Sequence, residues 1–285
     1  MTRLLVTGAS GYLAHRLLPM AAEYGDVIGV ARQREAICNS VQVELLDLTD
    51  SAATHRLIKR VRPDVIINAA ASNPGVDEAL MDAVNHQASG VIAAAAASVN
   101  CRLVMVSTDM VHSGTEAPYA DDAGAAPINT YGCTKALGEQ AVLSAKPDAA
   151  VVRTSLIYGL ERMDRGTQGF AQRLQRGERL VLFNDVLRQP VWIDSLSDAL
   201  CRLAFEHAQI SGVLNVVGSQ VMSRAAFARR MLAHWSIAAT DMITEKSGLG
   251  IPGLPMDLRL DCLRAKALAI PLPGVSDVLS SKGRS

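Results

Sequence analysis

Seven short runs rich in valine, isoleucine and leucine recur along the chain, separated by segments of helical character. Such nearly continuous apolar runs, without alternating polar residues, are typical of parallel strands that helices cover on both faces. The runs are Arg3 to Thr7, Val27 to Ala31, Gln42 to Leu46, Asp64 to Asn68, Arg102 to Ser107, Ala149 to Ser155 and Val213 to Val217. They predict an α/β fold with a doubly wound, seven-stranded parallel sheet, whose ligands bind at the carboxyl ends of the strands.

A glycine-rich turn follows the first apolar run and opens a helical pattern. Glycine at positions 8 and 11 lets the backbone approach a pyrophosphate closely, and the helix that follows presents unpaired N–H groups to it. The same glycines would also suit a tight connection between strand and helix. On the first interpretation the fold is of the Rossmann type. The predicted cofactor contacts in the turn are Gly8, Ser10, Gly11, Tyr12 and Leu13.

The division of the chain is predicted from two changes in composition. The strand pattern is interrupted after Tyr158-Gly159, and a Gly/Pro-rich stretch lies at Ser247 to Pro255. We therefore expect residues 1–157 to form the dinucleotide-binding domain, with residues 191–217 returning to it. Residues 158–285 are expected to form mainly a smaller, C-terminal substrate-binding part.

The end of the second run indicates which dinucleotide is used. An acidic residue there would bind the ribose of NAD, whereas this chain has Arg32 and Arg34, whose guanidinium groups suit a 2′-phosphate. The sequence thus favours NADP(H) over NAD(H), although both arginines could be ordinary solvated loop residues. Further contacts are predicted at the ends of the third and fourth runs, where Asp47 could equally cap a helix. They are Asp47, Leu48, Asn68, Ala69 and Ala70.

Three residues farther along suggest the chemistry. Tyr131 and Lys135 are four positions apart and would project from one face of a helix, where an ammonium group can lower the pKa of the tyrosine. Thr108 follows the fifth run and offers a hydroxyl to a substrate carbonyl. A Tyr-x-x-x-Lys pair alone is common on solvated helices. Together with the glycine turn, the three residues predict a nicotinamide-dependent carbonyl reductase, with Tyr131 and Lys135 also touching the cofactor.

Composition excludes several other classes of protein. The 28 basic and 28 acidic residues cancel to a net charge of +0, so electrostatics predicts neither nucleic-acid nor membrane-surface binding. The longest apolar run, Val91 to Val99, is too short to span a bilayer. Five cysteines without C-x-x-C spacing, and histidines without ligand grouping, predict a cytoplasmic protein without disulfides or a metal site.

At this point the motifs, in their order and spacing, resemble the extended short-chain dehydrogenases/reductases, and among them the dTDP-4-dehydrorhamnose reductase group. The resemblance runs almost from end to end of the chain. The segments that carry it are 6–14, 68–70, 84–85, 107–114, 127–139, 153–159, 189–194 and 258–268, which include V-T-G-A-S-G-Y-L-A, S-T-D and Y-G-C-T-K.

The resemblance implies hydride transfer from NADPH to a keto group, commonly C4 of a nucleotide-linked deoxysugar. Thr108, Tyr131 and Lys135 would be the catalytic set, and Asn85 resembles the helix asparagine that supports such sites. Side chains placed to contact the substrate include arginines suited to a diphosphate and an indole suited to stacking. The candidates are Met110, His112, Arg153, Leu156, Arg188, Gln189 and Trp192.

Three positions depart from the family pattern. Met110 stands where rhamnose-forming members usually have an aromatic residue, and Leu156 where they have tryptophan. Both could also be ordinary apolar packing residues. Arg16 replaces the acidic residue by which some members hold magnesium at a dimer interface, which weakens the argument for that metal and for a homodimer. Rhamnose formation itself is therefore in doubt.

Two alternative functions remain open at the level of sequence. One is reduction of a carbonyl compound that is not a sugar, which the changes at Met110 and Leu156 favour. The other is a non-catalytic subunit that binds NADP, since a regulatory subunit of methionine adenosyltransferase resembles these reductases and keeps similar motifs. The expected partner is a small-molecule carbonyl substrate in the first two cases and a protein in the third.

Overall fold

The computed structural model describes residues 2–33, 41–237 and 242–282. Seven of its strands form one parallel sheet, as the sequence predicts. They are β1 (Arg3–Thr7), β2 (Asp26–Ala31), β3 (Gln42–Leu45), β4 (Val65–Asn68), β5 (Arg102–Thr108), β6 (Ala150–Thr154) and β11 (Gly212–Asn215). Their order is β11-β6-β5-β4-β1-β2-β3, so the winding reverses between β4 and β1. A ligand crevice is expected at this reversal.

Helices cover both faces of the sheet. They are α1 (Ala14–Ala21), α2 (Ser51–Val61), α3 (Glu78–Asp82), α4 (Ala88–Ser98), α5 (Thr130–Ala145) and α7 (Ile193–Phe205). Helices α1 and α7 pack on one face, and α2, α4 and α5 on the other. Within β1, Leu4 and Val6 face the first core and Leu5 faces the second. This alternation between two apolar cores explains why the strand sequences lack polar residues.

The rest of the chain forms a C-terminal part built from paired short strands. Strand β7 (Ile157–Tyr158) pairs with β10 (Val191–Trp192), β8 (Leu180–Phe183) with β13 (Ile243–Lys246), and β9 (Leu187–Arg188) with β12 (Met222–Ser223). Its helices are α6 (Arg165–Gln175), α8 (Arg224–His234), α9 (Leu263–Ala267) and α10 (Val275–Lys282). Between these segments the chain returns to the sheet as α7 and β11. No helix in the described ranges is long and apolar enough to cross a membrane.

A single π-helical turn, Ala83–Gln87, joins α3 to α4 without a break. Such turns add a residue to the helix and are frequent at functional sites. Here the turn carries Asn85, whose side chain is fully buried. The irregularity therefore places the predicted supporting asparagine inside the molecule, against α5.

Candidate active site

The glycine turn fits a dinucleotide. Gly8 has a φ of 72°, and a Cβ on it would lie 2.9 Å from the main-chain oxygen of Ala69 and from the nitrogen of Ala70. Gly11 donates a main-chain hydrogen bond to Gly8 O at 2.8 Å. Helix α1 begins without a side-chain cap, so its first N–H groups are not taken up by side chains. The tight turn and the uncapped helix together form a suitable cradle for a pyrophosphate.

A buried network fixes the strand ends beside this turn. Thr7 Oγ1 donates to Asn68 Oδ1 at 2.6 Å and accepts from Ala70 N at 3.2 Å. Asn68 Nδ2 donates to Ser89 Oγ at 3.2 Å. The side chain of Asn68 thus connects β4 to β1 and α4, and Ala69 beside it is half-buried. These contacts position the crevice, and the cofactor contact of Asn68 stays a prediction.

Arg32 and Asp47 lie near each other at the ends of β2 and β3. Both side chains are exposed. Hydrogen bonds from the main chain and hydroxyl of Thr49, helped by the charge of Arg32, hold the pKa of Asp47 below its ordinary value. Asp50, and not Asp47, caps α2, so the cap interpretation of Asp47 is corrected. Arg34, the second predicted phosphate contact, lies outside the described residues.

Two more residues of the glycine turn have defined roles in packing. Tyr12 donates its hydroxyl hydrogen to the main-chain oxygen of Arg162 at 2.9 Å, and burial raises the pKa of the phenol. Leu13 is buried at the start of α1, whereas Ser10 is exposed. Leu48, which follows Asp47, packs against the core beneath α2. Tyr12 therefore joins the predicted pyrophosphate turn to the C-terminal part.

The three catalytic candidates meet at the carboxyl edge of the sheet. Thr108 ends β5, while Tyr131 and Lys135 lie in the first turns of α5, which Asn129 caps by accepting from Gly132 N at 2.9 Å. Thr108 acts on the Tyr131 hydroxyl through a hydrogen bond. Lys135 donates to Val106 O at 2.7 Å. Burial lowers its pKa to about 8, and the carboxylate of Glu139 opposes this shift.

The pKa of Tyr131 differs from the sequence prediction. Burial raises it to about 12, the carboxylate of Asp109 adds to the shift, and the hydrogen bond with Thr108 opposes it. Lys135 is not among the groups that act on Tyr131 in the protein alone. The prediction that Lys135 lowers this pKa is therefore corrected. Because a tyrosine with a raised pKa keeps its proton at neutral pH, the Tyr131 hydroxyl is protonated and can donate that proton.

The side-chain amide of Asn85 forms hydrogen bonds through both its oxygen and its nitrogen. Its Oδ1 accepts from Ser72 N at 2.8 Å, and its Nδ2 donates to Ser72 O at 2.9 Å and to Thr134 Oγ1 at 3.1 Å. A Cβ added at Gly138 of α5 would overlap the main-chain oxygen of Asn85. Asn85 thus supports the catalytic helix by holding the π turn against α5, between Tyr131 and Glu139.

A buried charged cluster lies beside Thr108 and Tyr131. Asp109 Oδ2 accepts from Ser155 Oγ at 2.6 Å and lies 3.7 Å from Arg188 Nε, while Oδ1 accepts from Thr108 Oγ1 at 3.2 Å. The charge of Arg224, at the start of α8, also acts on Asp109. Sequence analysis identified Arg188 but missed Asp109, Ser155 and Arg224. Asp109 could have been found from its place beside Thr108, but Arg224 follows no recognisable pattern.

Two predicted substrate contacts, Arg153 and His112, are engaged by other side chains of the protein. Arg153 forms a buried ion pair with Glu139, with Nη2 2.8 Å from Oε2, and donates Nη1 to Ala123 O at 2.9 Å. His112 is fully buried and stacks on Tyr119, with ring centroids 4.0 Å apart. Its Nε2 accepts from Arg153 Nη1 at 3.3 Å, because a guanidinium can only donate. Both side chains belong to the interior behind the site.

Burial and then the charge of Arg153 lower the pKa of His112 to about 4. An unfolded histidine has a pKa near 6.5, so the unfolded state takes up the proton first and stability falls as the pH drops from about 6.5 towards 4. His112→Phe keeps a ring against Tyr119 and removes this loss. Between pH 7 and pH 5 we expect the wild type to lose about 2 kcal/mol more than the variant in urea unfolding. Parallel losses would contradict the assignment.

The other predicted substrate residues are distributed around the site. Gln189 accepts from Leu260 N at 2.6 Å and donates to Gly218 O at 3.4 Å, so its amide holds main-chain groups together. Met110 is half-buried against the core beneath α1 and α7, and Leu156 and Trp192 against an apolar cluster of the C-terminal part. The packing interpretation of Met110 and Leu156 is thus the one that the contacts favour.

Arg16 is engaged within the chain. Its Nε and Nη2 donate to the two carboxylate oxygens of Asp194 at 2.9 and 2.8 Å. This bidentate pair joins α1 to the start of α7. In the described ranges, no group of three or more histidine, cysteine or acidic residues is arranged to hold a metal ion.

Comparison with known proteins identifies the family of the chain. The family model described as RmlD substrate binding domain matches residues 1–248. A dTDP-4-dehydrorhamnose reductase from Mycobacterium tuberculosis is 36% identical over 80% of this chain and 73% of its own length. The Streptomyces griseus protein of the same name is 35% identical over 70% of this chain, but the match spans 64% of that protein. Methionine adenosyltransferase 2 subunit beta from Pongo abelii is 29% identical over 94% of this chain and 83% of its own length.

Solved structures show the same fold. The dTDP-4-dehydrorhamnose reductase from Bacillus anthracis, determined in complex with NADP, superposes with a TM-score of 0.83 at 23% identity and covers 99% of this chain and 98% of that one. A hypothetical dTDP-4-dehydrorhamnose reductase from Sulfolobus tokodaii gives 0.81 at 27% identity, over 96% and 97%. From the match over residues 1–248 and these relatives, the chain belongs to the RmlD substrate-binding domain family, within the extended short-chain dehydrogenases/reductases.

Proposed function

We propose that this protein is an NADPH-dependent reductase that transfers hydride to a keto group of a nucleotide-linked deoxysugar, with C4 as the favoured position. The observation that carries the proposal is the meeting of Thr108, Tyr131 and Lys135 at the sheet edge, beside buried Arg188 and half-buried Arg224. The names of the relatives support the same class of reaction. The first test is oxidation of NADPH with dTDP-4-keto-6-deoxysugars and with simple ketones.

The chain supplies the proton and the orientation, and the cofactor supplies the hydride when it is bound. Tyr131 holds a proton at its hydroxyl and donates it to the substrate oxygen. Thr108 orients that oxygen from the end of β5. Lys135, held by Val106 O one helical turn after Tyr131, would bind the nicotinamide ribose of the cofactor.

The arginine pair supports a phosphate-bearing substrate. Arg188 is buried, and burial followed by the charge of Arg188 lowers the pKa of Arg224. The side chain of Arg224 forms no hydrogen bond or salt bridge with any residue in the described ranges. A half-buried cation without such a partner is partly desolvated, which is costly, and a bound phosphate would neutralise it.

Arg224→Gln is therefore expected to raise the KM for the keto sugar about 10- to 100-fold, because a charged hydrogen bond to phosphate is lost. The protein should stay folded, since the Arg224 side chain bonds to no described residue. Arg229→Gln, on the same helix but paired with Glu245 at the surface, is the matched control and should leave KM unchanged. Equal effects of the two substitutions would remove Arg224 from the substrate site.

We also infer a preference for NADPH over NADH, which rests on exposed Arg32 after β2. Arg32→Ala is expected to weaken binding of NADPH about 10-fold or more and to leave binding of NADH nearly unchanged. Fluorescence titration with both cofactors measures this. Arg56→Ala, an exposed arginine in α2, controls for loss of one positive charge. An equal loss for both cofactors would contradict the 2′-phosphate contact.

A binding subunit is the second candidate, favoured by the match to methionine adenosyltransferase 2 subunit beta over 94% of the chain. It predicts tight NADPH binding and a stable complex with another protein, without oxidation of NADPH by any keto sugar. A reductase of another ketone predicts turnover with that compound alone. We also place the protein in the cytoplasm, supported by free cysteines at positions 101, 133, 201 and 262; Cys38 lies outside the described residues.

A further inference from the structure

The cluster around Asp109 has an unbalanced charge. Two guanidinium groups, of Arg188 and Arg224, act on the single carboxylate of Asp109. Among the residues that the structure describes, the other groups that face Asp109 are the hydroxyls of Thr108, Ser155 and Tyr131. Burial raises the pKa of Asp109, while the charge of Arg188, the two hydrogen bonds and the charge of Arg224 oppose the shift. The positive charges of the two arginines are therefore what stabilises the ionised form of this carboxylate.

The hydrogen-bond directions at Thr108 conflict with its role in the reaction. Its Oγ1 accepts from Met110 N at 3.2 Å, donates to Asp109 Oδ1 at 3.2 Å and is also hydrogen-bonded with the Tyr131 hydroxyl, which then donates to it. A hydroxyl carries one hydrogen, so Thr108 cannot also donate to a substrate carbonyl while ionised Asp109 accepts that hydrogen. When Tyr131 turns its hydrogen to the substrate, an Asp109 protonated at Oδ1 can donate to Thr108, because the threonine oxygen can accept two bonds, here from Met110 N and Asp109.

The proposed substrate changes the charge balance, and this step rests on the proposed function. Each phosphate of a nucleotide sugar carries a negative charge, so a diphosphate on Arg188 and Arg224 would neutralise both. The carboxylate of Asp109 would then be a surplus negative charge in a buried site. A nearby like charge and the loss of compensating cations both favour the protonated acid.

We propose that Asp109 is a positioning residue that takes up a proton from solvent when the diphosphate of the substrate binds to Arg188 and Arg224, and so releases the Thr108 hydroxyl to the substrate carbonyl. The proton stays on Asp109 Oδ1, and Oδ2 continues to accept from Ser155. No covalent bond is formed or broken in this step. Recognition of the phosphates thus prepares the hydrogen bond at the keto group, and Tyr131 remains the acid of the reaction.

The test is calorimetry of the NADPH-loaded protein with dTDP-glucose, which has no ketone to reduce and whose phosphates do not titrate near neutral pH. Titrations at pH 7.5 in buffers of different ionisation enthalpy give the number of protons taken up. We expect the wild type to take up close to one proton per site and Asp109→Asn to bind without uptake. Asp198→Asn removes another carboxyl whose burial raises its pKa, on α7, and should leave the uptake unchanged.

The outcomes separate the two proposals. Binding to the wild type without proton uptake, or uptake that persists in Asp109→Asn, overturns the role of Asp109 and leaves the sugar reductase standing. Absence of binding overturns both. Infrared difference spectra of the wild type, with and without dTDP-glucose, test the same point without relying on a variant to fold. A new band from a protonated carboxyl is expected, and its absence contradicts the proposal.

Discussion

Tyr131→Phe is expected to lower kcat for ketone reduction about 100- to 10,000-fold, while the affinity for NADPH stays close to that of the wild type. The substitution removes only the hydroxyl, so packing of the ring at the start of α5 is kept. What is lost is a proton donor whose pKa burial raises to about 12. Stopped-flow oxidation of NADPH under single-turnover conditions measures the chemical step directly.

The matched control is Cys133→Ala, an exposed residue two positions farther along the same helix, which should leave both quantities unchanged. Retention of kcat in Tyr131→Phe would exclude the tyrosine as the acid. Loss of NADPH binding together with turnover would instead indicate that the hydroxyl mainly holds the cofactor. The raised pKa also predicts that reduction does not lose its acid as the pH rises from 6 to 9, because Tyr131 remains protonated throughout that range.

Gly138→Ala is expected to destabilise the protein by about 3 kcal/mol, although alanine is the better helix former by about 1 kcal/mol. The added Cβ would overlap the main-chain oxygen of Asn85 and lie 3.2 Å from the Cε of Met105. The main chain of Asn85 cannot move aside to relieve this overlap, as a flexible side chain could. Helix α5 must therefore move away from the π turn, which also displaces Tyr131 and Lys135. Urea unfolding gives the free energy, and activity should fall with it.

Gly169→Ala is the control for this substitution. Gly169 lies inside α6, and a Cβ there would meet no atom within 4 Å. We expect it to raise the free energy of unfolding by up to about 1 kcal/mol through helix propensity alone. If Gly138→Ala were equally neutral, α5 and the π turn would not be packed as closely as the structure shows.

The fold was predictable because its determinants are local. A strand such as β1 sends Leu4 into one core and Leu5 into the other, so its apolar run predicts a sheet covered on both sides. The meeting of the three catalytic candidates at one edge of the sheet was predictable for the same reason. Tyr131 and Lys135 lie one helical turn apart, and Thr108 ends a strand.

The electrostatics of the site was not predictable in this way. Arg153 is paired with Glu139, and Asp109 with Arg188, by contacts between elements that are distant in the sequence. Periodicity describes which face a residue occupies, but not which charge it will meet there. For this reason Arg153 was assigned to the substrate, Arg224 was missed, and the pKa of Tyr131 was predicted in the wrong direction.

The interleaving of the two parts restricts how such a reductase can be altered. Helix α7 and strand β11 come from the middle of the C-terminal sequence, yet α7 packs on α1 and β11 forms the outer strand beside β6. A chain truncated after β6 would leave β6 as an exposed edge strand and would lose helix α7, which packs on α1. A chimera that takes its substrate specificity from a relative therefore has to replace the segments before and after Ile193–Asn215 separately. No single point of division in the sequence separates the substrate-binding part from the sheet.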